Sequence, residues 1–234
     1  MVVILGWKSS PIGRSSLLKS ICNLSRKLIT ETSIKLSDVN LIIHAGVYRR
    51  NFRTEPAFAS HVQGELGLKC KALSQESEHC FSFDVSDGSC SPYVALNSAK
   101  HMLKIKSGGY ALITIGDERP NSQSYWPYQP ISCVMLVALE GDGARLESTS
   151  FDSKSFETTA VISTIFDGIK SANVIGQYSP VELEITNQNE TFIGDTNWLS
   201  GRHMHEFLTK YSQGLTKFHQ INDNSGKSVT ATWV

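Results

Sequence analysis

The chain has 234 residues, 40% of them hydrophobic, and its 22 lysines and arginines are balanced by 22 aspartates and glutamates. A sequence pI near 7.0 leaves no basic footprint for nucleic acid, while the length and apolar content allow a sizeable core, as one body or two packed halves. The longest apolar runs, such as residues 133–139, are too short to cross a bilayer. The first residues also lack the basic start and cleavage site of a signal peptide, so a soluble, cytoplasmic protein without membrane contact is expected.

In chain order, residues 2–7 read as a short buried strand and residues 8–13 as a loop. Residues 14–32 form an amphipathic helix with Leu17, Leu18, Ile21, Leu24, Leu28 and Ile29 on one side. A strand over 41–46, a loop over 47–54 carrying Arg49, Arg50 and Arg53, and a helix over 55–67 follow. Residues 69–78 are polar surface loop. Phe81, Phe83 and Val85 then mark a strand that runs into the turn Ser86-Asp87-Gly88-Ser89.

After that turn Ser91 serves as an N-cap and Pro92 suits the first helical position, and the apolar spacing of Tyr93, Leu96, Ala99 and Leu103 carries a helix to Ser107-Gly108-Gly109. Residues 110–115 are the next buried strand, 118–130 a long loop, 131–139 a strand and 145–150 another. Strands separated by helices imply parallel neighbours joined by crossovers, here in the order βαβαβαββ with helices on both faces. From residue 156 the pattern restarts, with helices over 158–172 and 200–213, a strand over 180–185, and a closing strand pair, 215–222 and 227–234. Two halves result, residues 1–150 and a shorter copy over 151–234.

Five cysteines (Cys22, Cys70, Cys80, Cys90, Cys133) with no CxxC argue against a disulfide framework or structural zinc. His203 and His205 stand two apart, on different faces of a helix, so they make no metal pair and read as exposed or capping histidines. Cys90 differs from the other cysteines by its place at a strand-to-helix hinge. Unpaired N–H groups and the positive end of a helix dipole favour thiolate there. The alternative, a small buried core residue, is the commoner state of a lone cysteine.

Three segments carry a resemblance. Residues 36–49 followed by Glu55-Pro-Ala-Phe-Ala-Ser-His-Val-Gln-Gly-Glu-Leu-Gly are similar to a strand, loop and "xPAxAxxVQxxLG" helix. Phe83-Asp-Val-Ser-Asp-Gly-Ser-Cys-Ser with Ala95-Leu96 resembles an "FDxSNGACG…AL" nucleophile turn, and Lys106-Ser-Gly-Gly-Tyr-Ala-Leu-Ile-Thr-Ile-Gly-Asp-Glu resembles the "SGxxxxxLVVxGD" strand after it. These resemble the thiolase superfamily, in its 3-oxoacyl-acyl-carrier-protein synthase III branch. The resemblance implies an α/β thiolase-like fold of two related βαβαβ-type halves in α/β/α/β/α layers, the second half truncated.

It also implies Cys90 as the acyl-accepting nucleophile, backbone N–H groups as the oxyanion hole, and Arg49, Arg50 and Arg53 as candidates for the phosphates of pantetheine delivered as acyl-CoA or acyl-carrier protein. No bound cofactor is implied. Dimers of the family pair through a strand beside the nucleophile helix, which the resemblance places at residues 110–116.

The departures are chemical. Ser91 replaces a glycine and Asp87 an asparagine, which puts a carboxylate near Cys90. Asn187 and Asp195 stand at the positions of the family's histidine and asparagine, His203 or His205 could replace the lost base, and Asp223-Asn-Ser-Gly-Lys occupies a glycine-rich stretch. Two readings stay open: a subunit of a condensing system working beside an intact ketosynthase, as homodimer or heterodimer, and a stand-alone acyltransferase built on Cys90.

Overall fold

The computed structural model describes residues 1–12, 16–48, 56–68, 80–118, 130–153, 161–164, 172–175, 191–193, 198–223 and 227–234. Strand β1 (Val2–Pro11) is followed by helix α1 (Leu17–Thr32), whose N-cap Ser16 accepts the Lys19 N–H at 3.3 Å. Next come β2 (Val39–Ala45), α2 (Phe58–Leu66), β3 (Phe81–Val85), α3 (Ser91–Ile105), β4 (Tyr110–Ile115), β5 (Ile131–Ala138) and β6 (Ala144–Ser153). Strands β7 (Val161–Thr164), β8 (Ala172–Ile175) and β9 (Thr191–Ile193), helix α4 (Ser200–Ser212), and strands β10 (Phe218–Asn222) and β11 (Lys227–Trp233) complete the described chain.

Among the described residues nine strands form one sheet in the order β3-β2-β4-β5-β1-β6-β11-β10-β9. The pairing repeats. β4 and β5 are antiparallel with β2 parallel to β4 and β1 antiparallel to β5; likewise β10 and β11 are antiparallel with β9 parallel to β10 and β6 antiparallel to β11. Three pairs, from Val2↔Leu146 to Ile4↔Ala144, join the two sets.

One apolar cluster joins α1 and α2 to one face of the first set through Ile42, Leu112, Val134 and Leu136. The other places α3 and α4 between the first set and the inward residues Val229, Ala231 and Trp233 of β11. Helix α3 is thus enclosed between strands on both sides, and Tyr93, Leu96, Ala99 and Leu103 are fully buried there.

Four expectations need correction. β1 continues to Pro11 instead of ending at residue 7, because β5 offers a partner along its whole length, to Pro11↔Ile131. Within the stretch expected to be helical at 158–172, residues 161–164 are strand β7, paired antiparallel with β8. The run Val161-Ile162-Ser163-Thr164 is mostly β-branched and suits a pleated backbone better than a helix. The helix after the nucleophile turn starts one residue early, with Cys90 itself at the N-cap and Pro92 in the first turn.

Fourth, residues 110–116 cannot pair with another chain: β4 is bonded on both sides, to β2 and β5. Among the described residues the edge of the first set is β3. The strand expected at 180–185 lies outside the described residues.

Candidate active site

The turn between β3 and α3 is built by short-range polar contacts. Ser91 Oγ accepts the Asp87 N–H at 2.7 Å and donates to the Gly88 carbonyl at 2.8 Å, while Cys90 N–H donates to the Asp87 carbonyl at 3.2 Å. Gly88 has φ +55°, the left-handed region glycine enters without a Cβ penalty. A side chain there would also meet Asp223: an added Cβ would lie 2.2 Å from Asp223 Oδ2.

That carboxylate is the unexpected occupant of the site. It comes from the end of β10 and accepts the Ser89 N–H at 2.6 Å. Beside it, Lys227 at the start of β11 forms an ion pair with Asp87, and Asp223 N–H closes the hairpin on the Lys227 carbonyl at 2.8 Å. Ser89 Oγ donates to the Trp198 carbonyl at 3.1 Å, which ties the same turn to the entry of α4.

Cys90 is 1% exposed. Burial pushes its thiol up to about 12, helped by the Asp223 and then the Asp87 carboxylate and opposed by Lys227. The helix N-terminus expected to favour thiolate is present, but it contributes only about 0.3–2 kcal/mol. Raising a thiol from 9.0 to about 12 corresponds to about 4 kcal/mol in the other direction. Burial outweighs the dipole, so the thiol form is favoured. The thiolate expectation is corrected on that ground.

His203 and His205 separate as their spacing implies. His205 sits on the outer side of α4, its Nδ1 2.7 Å from Ser9 Oγ and its ring 6.4 Å from that of Trp7. His203 is fully buried, not exposed or capping as expected, and among the described residues neither of its ring nitrogens has a hydrogen-bond partner at normal geometry. Burial lowers its pKa to about 3, although the Asp223 carboxylate and the Trp198 carbonyl nearby favour the protonated ring. Its ring lies 5.6 Å from Trp198 and 6.0 Å from His219.

His219 on β10 is a residue that sequence reading missed. It is fully buried, stacked on Phe207 at 4.6 Å and 3°, and its Nδ1 lies 2.8 Å from the Tyr93 hydroxyl, which accepts the Trp233 indole N–H at 3.3 Å. Burial, then His203, holds its pKa well below the usual imidazole range. The available signal was period-two burial: His219 and Ile221 share one face of β10. Asp223 and Lys227 stood out only as replacing a glycine-rich stretch, and Trp198 had no local signal; all three reach the turn only through the tertiary fold.

Arg49, Arg50 and Arg53, and likewise Asn187 and Asp195, lie outside the described residues. Two polar positions of the resemblance prove structural. Asp84 accepts the Phe58 and Ala59 N–H groups, each at 2.8 Å, at the start of α2. Gln63 donates to the Cys80 carbonyl at 3.0 Å and accepts from Ser82 at 2.6 Å, clamping α2 to the strand before the turn. Among the described residues no three His, Cys, Asp or Glu side chains are arranged to hold a metal, and no helix is long and apolar enough to cross a membrane.

No family model matches the sequence, and no curated protein does. The fold does have solved counterparts. 3-Oxoacyl-(acyl carrier protein) synthase III of Xanthomonas oryzae pv. oryzae superposes with a TM-score of 0.72 at 12% identity, over 100% of this chain and 98% of the other. A Xanthomonas campestris OleA variant with bound lauric acid and lauroyl-CoA gives 0.70 at 13% identity, over 100% and 98%. 3-Oxoacyl-[acyl-carrier-protein] synthase III from Aquifex aeolicus gives 0.70 at 9%, over 100% and 99%. At such identities the likeness speaks for architecture, and by architecture this chain is an α/β protein with the thiolase-like fold of 3-oxoacyl-acyl-carrier-protein synthase III and OleA.

Proposed function

We propose that this chain is a ketosynthase III-like subunit of a cytoplasmic condensing system of the fatty-acid or polyketide type, with its own acyl-transfer chemistry suppressed and an intact ketosynthase as its partner. One observation carries the reading. The sulfur in the nucleophile position is enclosed, and the charged side chains acting on it are the carboxylates of Asp223 and Asp87, opposed by Lys227. An acyl-accepting cysteine needs the opposite: a populated thiolate and donors free for the developing oxyanion. Here the Ser89 N–H is already engaged by Asp223.

The edge position of β3 supports a docking role. Phe81 is 51% exposed on it, and a groove of about 460 Å³ lined by Phe83, Val94, Met102 and Phe151 lies beside it. Pairing an intact ketosynthase along this edge satisfies the side of β3 that has no partner among the described residues and covers the aromatic side chains. Acyl-CoA or acyl-carrier protein then engages the assembly through the partner's competent site.

The test is co-expression with a full-length ketosynthase. A stable mixed dimer that condenses an acyl-CoA with a malonyl thioester, and loses assembly on Phe81→Asp, supports the proposal. A lone homodimer that condenses at full rate overturns it. A second reading, a stand-alone acyltransferase, is favoured by the placement of Cys90 at the N-cap of α3 and of His203, not His205, in the interior beside Asp223. It requires an acyl adduct on Cys90 of the isolated chain, seen by mass spectrometry after incubation with a short acyl-CoA and lost in Cys90→Ala.

A further inference from the structure

We propose that Asp223 is a built-in restraint on Cys90: its carboxylate, seated on the turn that carries the sulfur, adds to burial in keeping it a thiol, and removal of that one charge makes the sulfur more reactive. This rests on reading Cys90 as the nucleophile position, and it concerns the regulation of that site.

The seat is constructed from both sides. From the turn come the Ser89 N–H, 2.6 Å from Asp223 Oδ2, and the bare Cα of Gly88, where any side chain would collide with the carboxylate. The hairpin contributes the Asp223 N–H bond to the Lys227 carbonyl and the Lys227 ammonium paired with Asp87, so the hairpin is anchored at two points across the turn. Asp223 is 8% exposed. It is therefore held where solvent screens its charge poorly.

The consequence is electrostatic. A peptide N–H at the start of a helix would stabilise a nearby anion, but this one is saturated by a carboxylate that adds negative charge. Among the described residues the charged groups acting on the sulfur are Asp223, Asp87 and Lys227, and Lys227 is spent largely on Asp87 at the surface. His203, also near Asp223, is held neutral by burial and supplies no positive charge in compensation.

Alkylation of the isolated full chain with iodoacetamide tests this. The sulfur forms a carbon–sulfur bond, iodide leaves and the thiol proton passes to buffer; at equal access to the buried sulfur the rate follows the thiolate fraction. The Cys90 peptide is followed by mass spectrometry from pH 7 to 9.5. Asp223→Asn keeps the shape and an acceptor oxygen for Ser89 N–H while removing the charge. It is expected to alkylate at Cys90 about tenfold faster than wild type at pH 8, with its pH–rate profile displaced to lower pH.

Lys227→Met removes the opposing charge and is expected to be no faster than wild type. An Asp223→Asn rate within about twofold of wild type overturns the proposal. So does a Lys227→Met rate as high as that of Asp223→Asn, because a loosened hairpin would then explain both. If Asp223→Asn fails to fold by circular dichroism, Asp223→Ser, smaller and neutral, serves for the same comparison. No thioester and no second protein enters the assay, so failure here leaves the partner reading standing, and failure of the mixed-dimer assay leaves the restraint standing.

Discussion

Lowering the pH should unfold this protein from its interior, with His203 a principal cause. Its imidazole falls from 6.5 to about 3 on burial. Because the folded value is depressed, the unfolded state binds more protons between pH 6.5 and 3, so stability is full above 6.5 and is lost as pH falls through that window. At pH 4.5 the stability lost through His203 is about 3 kcal/mol, from two pH units below its unfolded value. His219 is depressed in the same direction and adds to the loss. Urea unfolding followed by fluorescence at pH 8, 6 and 4.5 measures the slope. His203→Leu removes one titrating group and two polar atoms without a hydrogen-bond partner among the described residues, and should lose about 2–3 kcal/mol less than wild type between pH 8 and 4.5. Identical pH slopes for wild type and His203→Leu would refute the reasoning.

Two further predictions concern the polar contacts around the site. Tyr93→Phe deletes the hydroxyl shared by His219 Nδ1 and the Trp233 N–H without opening a cavity, which costs about 2–4 kcal/mol as two buried groups lose a partner; calorimetry should show the melting temperature falling by about 5–15 °C. Asp84→Ala removes both N–H acceptors at the start of α2 and should lower urea stability by about 2–3 kcal/mol with an unchanged denaturant slope, whereas Asp84→Asn should recover part of the loss.

The competition at Cys90 explains why position and reactivity part company in this molecule. Helix α3 begins at the sulfur, as the turn residues suggested, so the local geometry of a nucleophile is present. The dipole it supplies is a local quantity of at most about 2 kcal/mol. Enclosure of α3 between strands on both sides, and delivery of Asp223 from a hairpin 134 residues away, are not local quantities, and together they exceed it.

The sequence alone determined the alternation of strands and helices through residue 139, the hinge at Cys90 and the opposite faces of His203 and His205, because each depends on spacing within one element: period 3.6, period 2, or a turn cluster. It also carried the thiolase-like architecture, since motif residues such as Gln63 and Asp84 are the ones that bolt α2 to β3. The tertiary structure decided the rest. Which strand is an edge depends on pairing order, so among the described residues β3, and not 110–116, lies at the edge. What surrounds the sulfur depends on which distant parts of the chain reach the turn, and burial, with the enclosed Asp223 carboxylate and the half-buried Asp87 added to it, favours the thiol.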